Sequence, residues 1–195
     1  MAEKKYTPMM MHYIKLKEEN PGSILFYRLG DFYEMFFEDA KIASQELNLV
    51  LTGRSAGVEE KVPMCGIPYH AANSYIQRLV KKGYKVAICE QLSDPSQSKG
   101  LVDRGIIKII TPGTYMDSAL DEKQTNYMAS VSVSSFEIVV IYCELSTGEL
   151  KYQTLERSLV SLQKALMEQH VSEVVLPMSF DKRWLNAFEE MDSIL

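Results

Sequence analysis

The sequence has few of the residues from which covalent or metal-based scaffolds are built. Its three cysteines, Cys65, Cys89 and Cys143, lie far apart and form no C-x-x-C pair. An odd, scattered set of this kind excludes a disulfide framework and a zinc site built on paired cysteines. We therefore expect free thiols in a reducing compartment.

Long apolar runs are missing as well. The longest stretch without Asp, Glu, Lys or Arg, residues 62–77, contains prolines and several polar residues, so no membrane span is predicted. The first five residues, Met-Ala-Glu-Lys-Lys, lack the apolar core of a signal peptide. These absences predict a soluble, cytoplasmic protein.

Catalytic motifs are the third absence. None of the three histidines shares a motif spacing with a cysteine or a pair of carboxylates, and there is no G-x-S-x-G. The nearest approach to a phosphate-binding loop runs from Gly100 to Gly105, but Ile106 follows where a P-loop requires lysine. The chain is therefore predicted to be no enzyme and to hold no cofactor or metal.

Positive charge is scarce, with 21 Lys and Arg against 26 Asp and Glu, which disfavours a generic binder of nucleic acids or membranes. The distribution is uneven, however. Residues 1–113 carry 15 basic and 13 acidic side chains, whereas residues 114–195 carry 6 and 13. An anion-binding surface is therefore expected in the first part of the chain.

Capping residues, prolines and glycines predict a first domain over residues 1–113. Thr7 and Pro8 are typical of a helix start and predict a helix over 8–19. The other predicted elements are strands at 24–29, 32–35, 49–51, 84–91 and 105–111, helices at 38–48 and 73–82 (capped by Asn73), loops at 52–60 and 93–100, and an irregular segment at 62–69.

Residues 114–126 are polar and without periodicity, which predicts a linker. A second domain over 127–195 is predicted to contain strands at 127–134, 136–143, 149–154 and 173–176, and helices at 156–169 and 181–190. The expected fold is α+β to α/β: a mixed-sheet N-terminal domain with surrounding helices, then an α/β domain. Because the chain ends inside that pattern, we expect the second domain to be incomplete.

Residues 30–37, Gly-Asp-Phe-Tyr-Glu-Met-Phe-Phe, form the most unusual segment. On an extended chain Phe32 and Glu34 point to one side, and Tyr33 and Met35 to the other. If the second pair is buried, an aromatic ring and a carboxylate stand together on the exposed side. The pattern alone leaves the alternative open that the aromatic side chains belong to the core and Glu34 is a solvated edge charge.

A basic stripe on the helix at 73–82 is a second candidate. Arg78, Lys81 and Lys82 are spaced to share the face opposite the apolar side chains. Such a stripe is a candidate contact for phosphate groups, and it is equally compatible with the solvated face of an amphipathic helix.

Five motifs resemble a known family. They are TPMM at 7–10, FYRLGDFYE at 26–34, PMCGIPYHA at 63–71, VAICEQ at 86–91 and ITPGT at 110–114. Together they resemble, in order and spacing over about 7–117, the start of the bacterial DNA mismatch-repair protein family MutS. Residues 127–195 resemble the beginning of the family's connector domain more loosely. The family's lever, clamp and ATPase domain with its Walker motifs do not occur in this sequence, so the resemblance implies an N-terminal fragment, with ATP and Mg²⁺ belonging to the ATPase domain.

The resemblance implies roles for particular residues. In the family, the Phe of a Phe-x-Glu motif stacks on a mispaired base from the minor groove and the Glu bonds to that base, which corresponds to Phe32 and Glu34. Arg54 corresponds to a family arginine near the DNA. We add Arg78 and Lys82 as candidate DNA contacts from their charge. Glu34 either accepts a hydrogen bond as an anion or donates one when protonated, and the sequence leaves both open.

The resemblance also implies partners: double-stranded DNA with mismatches or small loops, a second copy of the protein, and MutL through the connector domain. Two other functions remain. Because the connector domain resembles a ribonuclease H fold, one alternative is a metal-dependent nuclease, although Glu144 by itself is no metal-binding cluster. The other alternative is a protein-interaction module.

Overall fold

The structure, a computed structural model, describes residues 6–92, 103–116, 125–185 and 188. It divides into two compact units, Met1–Ile110 and Thr111–Leu195. The mixed α/β class expected from the sequence is confirmed, because each unit combines helices with a sheet that contains both parallel and antiparallel strand pairs.

The first unit is built on a six-stranded sheet with the order β3-β4-β2-β1-β5-β6. Strands β1 and β5 are parallel, and the other neighbours are antiparallel. Its elements are α1 (Pro8–Glu19), β1 (Ser23–Leu29), β2 (Phe32–Phe36), α2 (Phe37–Leu47), β3 (Thr52–Arg54), β4 (Val62–Pro68), a 3-10 turn (Tyr69–Ala71), α3 (Ala72–Val80), β5 (Lys85–Gln91) and β6 (Arg104–Ile110).

The two faces of this sheet are covered by different helices. Helix α1 packs on the face that bears Tyr27, since the rings of Tyr13 and Tyr27 meet edge to face with centroids 5.7 Å apart. Helix α2 packs on the opposite face, where the Cys65 thiol donates to the carbonyl of Ala40 at 3.4 Å. Successive residues of the central strands therefore point alternately to the α1 side and to the α2 side of the sheet.

Buried Asp39, in the first turn of α2, ties three elements together. Its carboxylate accepts hydrogen bonds from the Tyr13 hydroxyl at 2.9 Å, the Leu25 backbone N–H at 2.9 Å and the Lys17 ammonium at 2.6 Å. Burial, and then the Asp39 charge, raise the pKa of Tyr13, so its hydroxyl remains a donor. The network joins α1, β1 and α2 at one end of the sheet.

The second unit contains a four-stranded sheet with the order β10-β7-β8-β9, in which β10 is parallel to β7. Twelve buried side chains among the described residues form its core, which includes Trp184 and Phe188. Its elements are β7 (Tyr127–Val133), β8 (Glu137–Glu144), β9 (Glu149–Glu156), α4 (Leu159–Glu168), β10 (Val171–Val175) and a 3-10 turn (Lys182–Trp184).

Several local predictions were wrong. The strand predicted at 49–51 lies at Thr52–Arg54, inside the predicted loop, and the segment predicted as irregular is strand β4. Prolines made β4 look irregular, but Pro68 is the last residue of the strand and Pro63 lies near its start, where a missing N–H interrupts the ladder least. Pairing with strands on both sides outweighs the poor local propensity.

Two further differences concern helices. Ala71, not Asn73, precedes the first residue of α3, and its side chain makes no capping bond. Within the predicted helix at 181–190, the described residues form a 3-10 turn over Lys182–Trp184, Phe188 is helical, and part of that range lies outside the described residues. The loop predicted at 93–100 lies outside them as well.

The division between the units falls between Ile110 and Thr111, rather than after residue 113. Thr111 and Gly113 both donate to the carboxylate of Glu173, from the hydroxyl at 2.5 Å and the backbone N–H at 3.1 Å. Tyr115, near the start of the predicted linker, is also hydrogen-bonded: its carbonyl accepts from the side chain of Asn126 at 3.2 Å. These side-chain bonds, which local composition does not reveal, assign residues 111–116 to the second unit.

Candidate nucleic-acid interface

Phe32 is an exposed aromatic side chain at the corner of a tight hairpin. It is the first residue of β2, directly after the two-residue turn Gly30–Asp31, and 47% of its surface is exposed. Tyr33 and Met35 share the opposite face, as the alternation in the sequence predicted, and both are buried. The core interpretation therefore does not apply to Phe32, although it does apply to Phe36.

Glu34 lies on the same face of β2 as Phe32 and is paired in register with Gly66 of β4. A Cβ atom on Gly66 would lie 3.5 Å from Cγ of Glu34 and 3.3 Å from the carbonyl oxygen of Tyr33. The glycine thus leaves the space above β4 open, and the Glu34 side chain extends across it.

Arg54 of β3 occupies the other side of that space and forms an ion pair with the Glu34 carboxylate. Its guanidinium carbon also lies 5.8 Å from the centroid of the Phe36 ring. The Glu34 side chain is 17% exposed and that of Arg54 36%. The structure therefore brings two of the predicted site residues into direct contact and places Phe32 on the same sheet face.

The Glu34–Arg54 ion pair was not expected from the sequence. The pair forms only because β4 is a strand between β2 and β3. The sequence predicted an irregular segment at 62–69 instead. A usable signal was the glycine at position 66, because a glycine inside a strand often marks a close approach of neighbouring groups.

Arg78 and Lys82 lie elsewhere. Both contact the end of α2: Lys82 forms an ion pair with Glu46 at 2.6 Å, and Arg78 donates to the Glu46 carbonyl at 3.4 Å. Helix α2 covers the sheet face opposite to Phe32 and Glu34. The structure thus does not bring the basic stripe together with the other predicted contacts, and part of its charge is neutralised locally.

Other titratable groups have structural roles. Burial, and then the Arg104 charge, lower the pKa of His12, whose Nδ1 lies 2.9 Å from the hydroxyl of Tyr27. Glu144 accepts hydrogen bonds from the backbone and hydroxyl groups of Ser146 and Thr147, led by the Thr147 hydroxyl, which lower its pKa to about 2. Its carboxylate is therefore engaged in a turn.

The described residues provide neither a metal site nor a membrane-spanning helix. They contain no group of three or more His, Cys, Asp and Glu side chains arranged to hold a metal ion. No helix formed by the described part of the chain has both the length and the apolar character needed to cross a bilayer.

Comparison with known proteins identifies the family. The family described as MutS domain I matches residues 7–119. A DNA mismatch repair protein MutS of Clostridium botulinum (strain 657 / Type Ba4) is 64% identical over 144 residues, which cover 73% of this chain and 16% of the relative. The MutS of Clostridium kluyveri (strain ATCC 8527) is 51% identical over 189 residues, which cover 95% of this chain and 22% of the relative. The chain thus spans about a fifth or less of the length of these relatives, and it belongs to the MutS family.

Proposed function

We propose that the first unit recognises mispaired DNA by inserting Phe32 beside a mispaired base from the minor groove. The observation that carries this proposal is a half-exposed aromatic ring at a hairpin corner, with Glu34 on the same face of the same strand. The relatives described above are named as DNA mismatch repair proteins, which supports the same conclusion.

The physical argument concerns the DNA as much as the protein. An apolar wedge must unstack a base step and kink the duplex, at an expense of a few kcal/mol. A mispaired base has already lost pairing and stacking energy, so its deformation requires less work. Selectivity arising from this difference suits a protein that accepts many mismatches, because it does not require a particular base edge.

Arg54 gives Glu34 a place in such an interface. A carboxylate close to phosphate groups is repelled, and the paired guanidinium of Arg54 offsets that repulsion. The carboxylate can then accept a hydrogen bond from a base N–H, while Arg54 remains near the phosphates. We retain Phe32, Glu34 and Arg54 as proposed contacts, and assign Arg78 and Lys82 to the packing of α3 on α2.

The test uses a chimera in which this chain replaces the matching residues of the Clostridium kluyveri MutS. Affinities for a G·T heteroduplex and the corresponding homoduplex are measured at one salt concentration. Phe32→Ala is expected to abolish the preference for the heteroduplex. Phe136→Ala is the matched control, since Phe136 is 90% exposed in the second unit. A preference that survives Phe32→Ala would contradict the proposal.

For the isolated chain we expect weak binding with little mismatch preference. Residues 1–113 have 15 basic and 13 acidic side chains, and affinity for DNA rises steeply with the number of phosphates neutralised. Titration of the chain with both duplexes at low salt measures this. Tight, strongly selective binding would contradict this expectation and would show that the 195-residue chain is sufficient for mismatch recognition.

For the second unit we propose the start of a ribonuclease H-like fold. Three antiparallel strands, a helix and a fourth strand parallel to the first, in the order β10-β7-β8-β9, support it. The nuclease alternative is not favoured, because Glu144 is engaged by its own turn. The proposal assigns this chain binding rather than catalysis, with ATP and Mg²⁺ bound by the family's ATPase domain.

The partners implied by the family are part of the same proposal: a second copy of the full-length protein and MutL, the latter through the second unit. The cytoplasmic location also remains a proposal. Cross-linking of the chimera to MutL, with and without substitution of the exposed Tyr152 on β9, tests the second unit as the docking surface.

A further inference from the structure

The turn that presents Phe32 is held from outside by two donors. Gly30, at the first turn position, has a positive φ of 58°, a conformation that favours glycine. The Gly30 carbonyl accepts a hydrogen bond from Nε of Arg28 at 2.5 Å, and the Asp31 carbonyl accepts one from the backbone N–H of Tyr69 at 2.9 Å. Both peptide carbonyls of the turn are therefore tied to groups outside it.

The two donor residues, Arg28 and Tyr69, also contact each other. The guanidinium carbon of Arg28 lies 3.6 Å from the centroid of the Tyr69 ring, a close cation–π contact. Arg28 is further fixed by the Glu90 carboxylate, 3.5 Å from its Nη1. Glu90 in turn accepts a hydrogen bond from the Tyr33 hydroxyl, and burial raises the pKa of Tyr33 to about 12, so that this hydroxyl stays a donor.

This cluster lies on the sheet face opposite to Phe32 and Glu34. Arg28 is paired in register with Tyr33, so its side chain shares the face of Tyr33. Phe32 and Glu34 occupy the other face of β2. The Arg28 side chain is only 16% exposed. Any effect of Arg28 on the Phe32 side of the sheet is therefore transmitted through the backbone of the turn.

We propose that Arg28 and Tyr69 form a brace that fixes the Gly30–Asp31 turn and holds Phe32 in the orientation needed to enter a base step. A wedge that moves with a flexible turn must be ordered when it inserts, and that ordering opposes the deformation of the DNA. With the brace, the turn that carries Phe32 is already ordered in the folded protein before DNA binds. Arg28 and Tyr69 are positioning residues in this inference, which rests on the proposed function of Phe32.

The first experiment measures the ratio of heteroduplex to homoduplex affinity in the chimera. Arg28→Lys keeps the charge but removes the planar group that stacks on Tyr69 and bonds to Gly30. We expect the ratio to fall about fivefold in Arg28→Lys and in Tyr69→Leu, and to be retained in Tyr69→Phe, which keeps the ring. Lys108→Gln, at an exposed position of β6, is the control for substitution of a basic residue elsewhere in the same sheet. A simple phosphate contact would lower both affinities together and leave the ratio unchanged.

The second experiment detects the brace without DNA. Hydrogen exchange of the Tyr69 amide, which donates to Asp31, is followed by NMR in the 195-residue chain. We expect about tenfold faster exchange in Arg28→Lys and no change in Lys108→Gln, because local opening of the turn exposes this amide. If Arg28→Lys does not fold, Tyr69→Leu at its half-exposed position supplies both measurements.

The outcomes separate the inference from the proposed function. If Phe32→Ala abolishes the preference while Arg28→Lys and Tyr69→Leu leave the ratio unchanged, the brace is overturned and the wedge stands. If Phe32→Ala leaves the preference intact, the proposed function fails and the brace fails with it. A lower ratio in both brace variants, with faster Tyr69 exchange and unchanged thermal melting, supports the inference.

Discussion

Arg54 and Glu34 form an ion pair across the open space above Gly66, on the sheet face that also bears Phe32. Two residues that the family resemblance assigns separately to DNA are thus one electrostatic unit in the free protein. Removing either charge releases the other, so the two substitutions are expected to be non-additive.

Glu34→Ala in the chimera is expected to strengthen homoduplex binding, because a negative charge is lost and Arg54 is freed for phosphate. Heteroduplex binding should gain less or fall, since the bond to the base is lost, so selectivity decreases. Glu34→Ala combined with Arg54→Ala should cancel most of the homoduplex gain. Glu46→Ala is the matched control, since it frees Lys82 on the opposite face.

Glu34→Gln distinguishes the two roles left open for the carboxyl group. Glutamine keeps an N–H donor and an acceptor at nearly the same place without the charge. If Glu34 donates when protonated, Gln should retain much of the mismatch preference, and if it accepts as an anion, Gln should resemble Ala. Affinity ratios measured at pH 6 and pH 8 provide the comparison. A ratio unchanged by both substitutions would make Glu34 a solvated edge charge.

Phe32→Ala should leave the stability of the chain nearly unchanged, with a loss below about 1 kcal/mol, because half of the ring is already exposed. Phe36→Ala, four residues along the same strand but fully buried, should lower the free energy of unfolding by about 3–5 kcal/mol. Thermal and denaturant melting of the two variants measures the difference. Equal losses in the free energy of unfolding would show that Phe32 is a core residue.

Asp39→Ala should destabilise the first unit by about 2–4 kcal/mol, because it leaves the Leu25 N–H without its acceptor and the Lys17 ammonium without its anionic partner. Glu38→Ala is the control: its carboxylate is 70% exposed and pairs only with Lys41 at 3.0 Å, so a change within about 0.5 kcal/mol is expected. Urea unfolding reports both. A similar small loss at Asp39 would show that the network adds little.

The stability of the second unit should decrease in acid. Hydrogen bonds from Thr147 and Ser146 lower the pKa of Glu144 from 4.5 to about 2. A carboxyl group whose pKa is lower in the folded state stabilises that state above pH 4.5, and this contribution is lost as the pH falls toward 2. Glu144→Gln should therefore remove about 1 kcal/mol at pH 7 and little at pH 2. An equal loss at both values would contradict the assignment.

Much of the first unit follows from local sequence. Thr7 and Pro8 predicted the start of α1 correctly, because a capping hydroxyl and a fixed φ act within a few residues. The alternation from Phe32 to Met35 predicted which side chains share a face, because strand periodicity is also local. These features require no knowledge of distant partners.

Strand β4 and the group around Glu34 could not be predicted in this way. The prolines of β4 disfavour a strand locally, and its pairing with β2 and β3 depends on residues distant along the chain. Likewise, the charge pattern suggested that Arg78 and Lys82 join the DNA contacts, whereas packing of α3 on α2 directs both toward Glu46. Sequence spacing alone does not determine which face of a sheet a helix covers.

The sequence by itself determined the family and which residues of β2 share a face, because motif order and strand alternation are properties of the chain taken residue by residue. Only the tertiary structure decided that Arg54 neutralises Glu34, and that Arg28 and Tyr69 hold the turn before Phe32. These contacts join residues that are distant along the chain and that the strand order of the sheet brings together. The pairing of β4 with β2 and with β3 places these residues within reach of one another.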